Sequence, residues 1–355
     1  MPLWALLTPI GAAVLLAVTL MISGGNVLAI ASLVALMGAV IASVHHAEVV
    51  AHRVGEPFGT LVLSLAITTI EVALIVSLML ANPTGTSTLP RDTVFATVMI
   101  ICNGVVGLCL LVGGLRHREQ AFHVEGANTG LATLIALSAL TLVLPAFTTS
   151  SPGPEYTRAQ LTFAAIASLA LWSMFVFVQT VRHRDYFLPV NNAGDADAHA
   201  ASPSNRLAAA SFGMLMVALV AVVGLAKVLS PKIEVAMTAA GAPKSAIGIA
   251  IALLVLLPET WAATRAARAD QLQTSLNLAF GSALASIGLT IPAVAVASVL
   301  LGMPLALGLE SKEIVLLVLS FVVASITLVS GRTHVMQGAV HLTIFAAFVF
   351  FALVP

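Results

Sequence analysis

Long apolar runs, separated by short polar or Gly/Pro-containing breaks, recur from one end of the chain to the other. A run of about 18 or more residues is long enough to cross a bilayer as a helix. Eleven such runs can be drawn, at 3–22, 26–44, 58–81, 93–114, 128–147, 159–181, 206–229, 244–264, 272–300, 312–330 and 334–354. They do not alternate apolar and polar residues in segments of about 10, as the strands of a membrane barrel would. The most polar stretch, Arg182 to Asn205, contains NNAGDADAHAASPSN, the composition of a solvated linker.

That linker leaves spans two to six on one side and seven to eleven on the other, five in each half. An odd number of spans per half makes the second half enter the membrane from the opposite face, so the halves are expected to be inverted repeats. The predicted architecture is an all-α integral membrane protein with eleven transmembrane helices. Residues 1–25 form an additional N-terminal helix, 26–181 a first five-helix repeat, 182–205 a cytoplasmic linker and 206–355 a second five-helix repeat.

Basic residues favour cytoplasmic loops. Loops after even-numbered spans hold Arg53, Arg116, Arg118, Arg182, Arg184, Arg206, Arg265, Arg268 and Arg332, whereas Arg91, Arg158, Lys227, Lys232, Lys244 and Lys312 fall on the other side. The bias puts the N-terminus and the linker in the cytoplasm.

Composition agrees with the runs. Of 355 residues, 59% are hydrophobic and 8% charged, against roughly one-quarter charged in soluble domains. The formal net charge of zero gives no basic footprint for nucleic acid. Cys102 and Cys109 share one apolar run, which offers neither a disulfide framework nor a zinc spacing. The first run lacks a basic segment before it and reads as a retained span rather than a cleaved signal.

Two carboxylates interrupt the apolar runs near their middles: Glu71 in FGTLVLSLAITTIEVALIVSLMLA and Glu259 in AIGIAIALLVLLPETWAA. Insertion scales put the cost of an ionisable residue at mid-bilayer at about 2.5–3.5 kcal/mol, so such residues mark ion or proton pathways. The plain alternative is a carboxyl that only locks helix packing. Duplication argues against that alternative, since Gly55-Glu56-Pro57 precedes Glu71 much as Gly241-Ala242-Pro243 precedes Glu259.

Around Glu71 stand Ser64, Thr68, Thr69 and Ser77, with Ser64, Thr68 and Glu71 sharing a helical face. Hydroxyls beside a carboxylate are oxygen ligands for a hard cation. Asn103-Gly104 in span four, and Gly281-Ser282 with Ser286 in span nine, offer further oxygens and close helix approach at Gly104 and Gly281. Pro258 cannot donate to the helix ladder and frees a carbonyl one turn earlier, as in the broken spans that line ion sites.

Two negative charges match one divalent cation, and calcium needs six to eight oxygens. With the cation gone, two close carboxylates in a low-dielectric cavity take up protons instead. Protons and cation then compete for the same oxygens. This yields antiport if only a loaded carrier can switch its opening.

His45, Glu48 and His52 recur on one face at the end of span two and could relay protons or bind a metal, although an interfacial polar cap explains them as simply. Glu56 is either a mouth carboxylate or a solvated turn residue. Motifs of metalloproteases, hydrolases and nucleotide-driven pumps are missing.

The segments HHAEVVAHRVGEPFGTLVLSLAITTIEVALIV and LVLLPETWAATRAARADQLQTSLNLAFGSALASIGLTIPAV resemble bacterial ChaA-type calcium/proton antiporters of the cation/calcium exchanger superfamily. The resemblance covers nearly the whole chain. It implies one extra span before two inverted five-span repeats, a bacterial inner membrane location, and cation and proton binding at Glu71 and Glu259. It also matches Asn103 and Gly281-Ser282 to family positions. The chain departs from the Gly-Asn-x-x-Glu form of distant relatives: Ile67-Thr68-Thr69-Ile70 precede Glu71, and Val255-Leu256-Leu257-Pro258 precede Glu259.

The expected activity is therefore secondary active export of calcium in exchange for protons, with no cofactor. Sodium or potassium/proton antiport is the alternative within the class, and an intramembrane acid-base enzyme the alternative outside it. The expected partners are the transported cation, protons and the lipid bilayer. Assembly, whether monomer or homo-oligomer, is left open.

Overall fold

The computed structural model describes residues 1–22, 25–55, 58–81, 88–190, 203–239 and 245–354. The side chains of 58–64, 81, 230, 233–234, 236–239, 245 and 247 lie outside the description, as do Glu56 and residues 191–202 of the expected linker.

Eleven helical rods follow the eleven apolar runs: α1 Leu3–Met21, α2 Asn26–Val54, α3 Phe58–Ala81, α4 Leu89–His117, α5 Val124–Ala146, α6 Arg158–Arg182, α7 Asn205–Ala239, α8 Ser245–Arg268, α9 Leu272–Leu301, α10 Ser311–Leu328 and α11 Val335–Leu353. All but α3 have a described stretch long and apolar enough to cross a membrane, and α3 contributes the shorter apolar stretch Leu65–Leu80.

Two rods outrun expectation. α2 continues ten residues past 44, to 54, so the His45–His52 segment is helical. It stops where Gly55 takes a φ of 79°, a conformation that ends helices at little cost to glycine. α7 runs to Ala239 with Pro231 inside it, rather than ending at 229.

The rods form two compact units that cut across the sequence halves. The first comprises 1–85 and 196–244, hence α1, α2, α3 and α7; the second comprises 86–195 and 245–355, hence α4–α6 and α8–α11.

In the first unit, α1 lies on both α2 and α7. A Cβ on Gly38 would meet the Thr8 methyl at 2.6 Å, and one on Gly224 would collide with Leu16, so glycine permits both approaches. Pro9 inside α1 has no N–H to give to the Ala5 carbonyl four residues back. His46, fully buried on α2, reaches that carbonyl with Nε2 at 2.8 Å. A carbonyl only accepts, so Nε2 carries the proton. The His45 ring packs on Trp4 with centroids 5.0 Å apart.

In the second unit, loops alternate between two ends as single crossings require. At one end, β1 (Glu119–Ala121) after α4 pairs antiparallel with β2 (Arg332–His334) after α10, and Gln120 Nε2 donates to the Ala267 carbonyl of α8 at 2.8 Å. At the other, the Gly308 amide donates to the Pro154 carbonyl at 3.0 Å, and Arg91 Nη1 donates to the Gly308 carbonyl at 3.1 Å. Arg91 is not a loop charge: it is buried, 2.7 Å from Asp92.

α4 and α11 approach through glycine. A Cβ on Gly107 would stand 2.9 Å from the Cβ of His341, one on Gly104 would touch Phe345 at 3.4 Å, and one on Gly338 would strike the Leu111 backbone. Within α4, residues Ile100–Val105 form a π-helical turn, and within α9 so do Ser286–Thr290. The third rod of each half thus carries such a turn near its middle, and further π turns lie at Ala139–Val143 in α5 and Val178–Arg182 in α6. π turns frequently occur at functional sites.

Candidate functional site

In α3 the buried face is built by Ile67, Ile70, Leu74 and Ile75, and it includes Thr68 and Glu71, the latter only 4% exposed. Spacings of three and four make this one stripe. Thr69 falls on the opposite, exposed face and donates its hydroxyl to the Leu65 carbonyl at 2.6 Å. Ser77 is buried, and its hydroxyl goes to the Ala73 carbonyl at 2.6 Å. Glu71 and Thr68 are therefore the expected ligands that share a buried stripe, and the Ser64 side chain lies outside the described residues.

In the second unit Glu259 sits within α8, with both carboxylate oxygens shielded from solvent. The helix passes through Pro258 unbroken, so the expected break is confined to one missing donor, opposite the Leu254 carbonyl.

α4 and α8 run side by side in the same direction. A Cβ on Gly248 would meet the Asp92 carbonyl carbon at 2.9 Å, and at the far end His117 Nε2 lies 3.0 Å from the Arg268 carbonyl. Glu259 is eleven residues beyond Gly248 (259 − 248), and Asn103 is eleven beyond Asp92 (103 − 92). At about 1.5 Å per residue, both lie about 16 Å along their rods from the first contact, and counting back from the second leaves them within about 8 Å in depth. α9 runs the other way, with Ser275 donating to the Ala263 carbonyl. Counting from that contact puts Ser282 within a turn of the Glu259 level, and Ser286 about 10 Å beyond it.

Asn103 is fully buried, and its carboxamide is engaged by spans ten and eleven. Nδ2 donates to Ser320 Oγ at 2.8 Å, and Oδ1 lies 3.3 Å from His341 Nδ1. His341 Nε2 in turn lies 3.1 Å from the Thr327 hydroxyl. Ser320, Thr327 and His341 escaped the sequence reading. His341 was visible there as the one ionisable residue in MQGAVHLTIFAAF, the same signal that picked out the glutamates.

Two expectations need correcting. Gly281 is not a point of close helix approach, since a Cβ there would meet nothing within 4 Å; the close approach on α9 is at Gly288, where a Cβ would fall 2.8 Å from Trp172 Cγ. The His45, Glu48 and His52 face does not assemble a metal cluster: Glu48 and His52 are exposed, and no group of three His, Cys, Asp or Glu able to hold a metal exists among the described residues.

A multi-pass helical membrane protein with carboxylates buried in mid-span belongs to the class of ion carriers. The family model for sodium/calcium exchanger protein matches residues 24–181 and 210–354, and the chain belongs to that family. It is 47% identical to the putative ionic transporter y4hA of Sinorhizobium fredii over 100% of this chain and 97% of that one. It is 35% identical to the sodium-potassium/proton antiporter ChaA of Escherichia coli over 89% of this chain and 86% of that one. Its fold matches the crystal structure of the H+/Ca2+ exchanger CAX with a TM-score of 0.71 at 14% identity, covering 98% of this chain and 88% of that one. Such proteins are transporters rather than enzymes, and they require no cofactor.

Proposed function

We propose that this protein exports calcium in exchange for protons, and that Glu71 and Glu259 carry both in turn. The observation that bears most weight is the burial of one carboxylate in each sequence half, Glu71 at 4% exposure and Glu259 with both oxygens shielded. Burial disfavours an empty charged pair and so favours either a bound cation or protons. Two carboxylates balance the charge of one divalent ion, and calcium takes its remaining oxygens from hydroxyls, carbonyls or water. The halves 26–181 and 206–355 act in this reading as inverted five-helix repeats, which supports alternating access. By the arginine bias of the even-numbered loops, the N-terminus is cytoplasmic.

A second reading, exchange of sodium or potassium for protons, is favoured by two observations. The 35% identical relative is a sodium-potassium/proton antiporter, and Val255-Leu256-Leu257-Pro258 before Glu259 supply no side-chain oxygen, which leaves fewer ligands for calcium. Proteoliposomes holding a pH gradient separate the two. Calcium is expected to collapse the gradient when sodium, potassium and magnesium do not, and Glu71→Gln and Glu259→Gln are expected to abolish the collapse. Collapse by sodium or potassium alone assigns the second reading, and collapse by none of the four overturns antiport.

A further inference from the structure

Four buried side chains from α4, α10 and α11 form a chain of hydrogen bonds whose direction follows from the bond Ser320 makes to its own helix. It begins at Ser320, whose hydroxyl has one proton. The acceptors in reach of that proton are the Leu316 carbonyl at 2.7 Å and the Met99 sulfur at 3.5 Å, and neither can donate. With that proton on the Leu316 carbonyl, Ser320 Oγ accepts from Asn103, whose NH2 nitrogen faces it at 2.8 Å. The amide oxygen then faces His341, so Nδ1 of that ring carries a proton and donates to it. With one proton on the neutral ring, Nε2 is bare and accepts from Thr327.

Every member is buried: Asn103, Ser320 and His341 at 0% exposure and Thr327 at 3%. No water competes for these bonds, and breaking any one would leave an unsatisfied polar group. The amide in the middle does not pass protons along, so the chain serves to orient rather than to relay. What it orients is the side chain on the π turn of α4, the rod that runs alongside the helix of Glu259. An amide free to flip could present either an oxygen or an NH2 group from the same position. A cation accepts only the first.

We propose that His341 is a positioning residue for cation translocation: its Nδ1–H and the Ser320 hydroxyl hold the Asn103 carboxamide in one orientation, so that the π turn offers the passing cation the free lone pair of Oδ1. The proposal rests on the reading that this half of the protein carries the cation past Glu259, and it adds two residues, His341 and Ser320, that touch no ion themselves. Gly107 is part of the device, since its lack of a Cβ lets the His341 backbone come close enough for the bond.

Two near-isosteric replacements divide the ring into its two functions. The Asn amide nitrogen superimposes on histidine Nδ1 and donates as it does, while the Gln amide reaches the Nε2 position and turns its oxygen there to accept from Thr327. His341→Asn therefore keeps the donor to Asn103 and gives up Thr327, whereas His341→Gln does the reverse. In proteoliposomes, with calcium and sodium each used as the driving ion, His341→Gln is expected to raise the apparent KM of the transported ion about tenfold with Vmax retained, the scale of one lost buried hydrogen bond. His341→Asn is expected to stay within about threefold of wild type. Equal KM values for the two variants, or a KM that follows the thermal midpoint in detergent, would overturn the proposal in favour of plain packing. If either variant does not fold, Ser320→Ala tests the other anchor, with a KM rise of about fivefold expected and an unchanged KM contradicting the proposal. Glu259→Gln is measured alongside: if it transports normally, the glutamate reading fails, while the Asn/Gln comparison still reports on His341.

Discussion

Each compact unit contains a fully buried histidine, and the two are used differently. In the first unit His46 bonds to backbone, the Ala5 carbonyl that Pro9 leaves without a helical donor. In the second, His341 bonds to side chains, Asn103 on one edge and Thr327 on the other. A bond to a helix carbonyl fixes where one rod lies on another. A bond to an amide side chain fixes which atom that amide presents. The first arrangement builds the fold, the second serves a site, and the residue type alone does not distinguish them.

The largest effects should ignore this contrast. Glu71→Gln in the first unit and Glu259→Gln in the second should each reduce coupled exchange by at least about 100-fold, because each removes a charge that has to alternate between proton and cation. Retained flux in either variant, measured against a folded control, would break the equivalence of the two acids.

The histidines should then part company. His341→Gln acts on KM, as argued above. His46→Leu should leave KM unchanged and cost about 1–3 kcal/mol of stability by stranding the Ala5 carbonyl, read as a lowered thermal midpoint. Adding Pro9→Ala returns an N–H to that carbonyl, so the double variant should recover most of the loss. A double variant no more stable than His46→Leu would mean that the proline-freed carbonyl is not what His46 satisfies. The smallest effect belongs to neighbours on α3. Thr69→Ala, on the exposed face, should change stability by no more than about 0.5 kcal/mol and leave transport intact, whereas Thr68→Val, on the Glu71 stripe, should weaken cation affinity. Equal behaviour of the two would contradict the facing seen in α3.

The contrast between the units also explains what could be read in advance. The rods were legible because a bilayer demands about 20 apolar residues per crossing, and Glu71 and Glu259 because a charge is costly there. The end of α2 was legible in part: its polar last ten residues leave the apolar run yet keep one helical face, and the helix stops at Gly55, which takes a positive φ at the Gly55-Glu56-Pro57 break. Asn103 drew notice as an amide in an apolar run, but its partners come from 217 and 238 residues away, and no local pattern reveals them. Gly281 was misread for the same reason: a glycine allows a neighbour to approach but does not say that one does. The compact units themselves, which take α7 from the second half into the first unit, reflect contacts between rods that are distant in sequence.

The central claim is that protons and cation compete for the same two carboxylates. Its most direct test is proton release on binding: purified protein in weakly buffered detergent is titrated with calcium, and with sodium in parallel, while a pH indicator records protons set free. Release that saturates with cation binding in the wild type, and disappears in the Glu71→Gln/Glu259→Gln double variant, is the predicted result. Cation binding without proton release, or release that persists in the double variant, would contradict it.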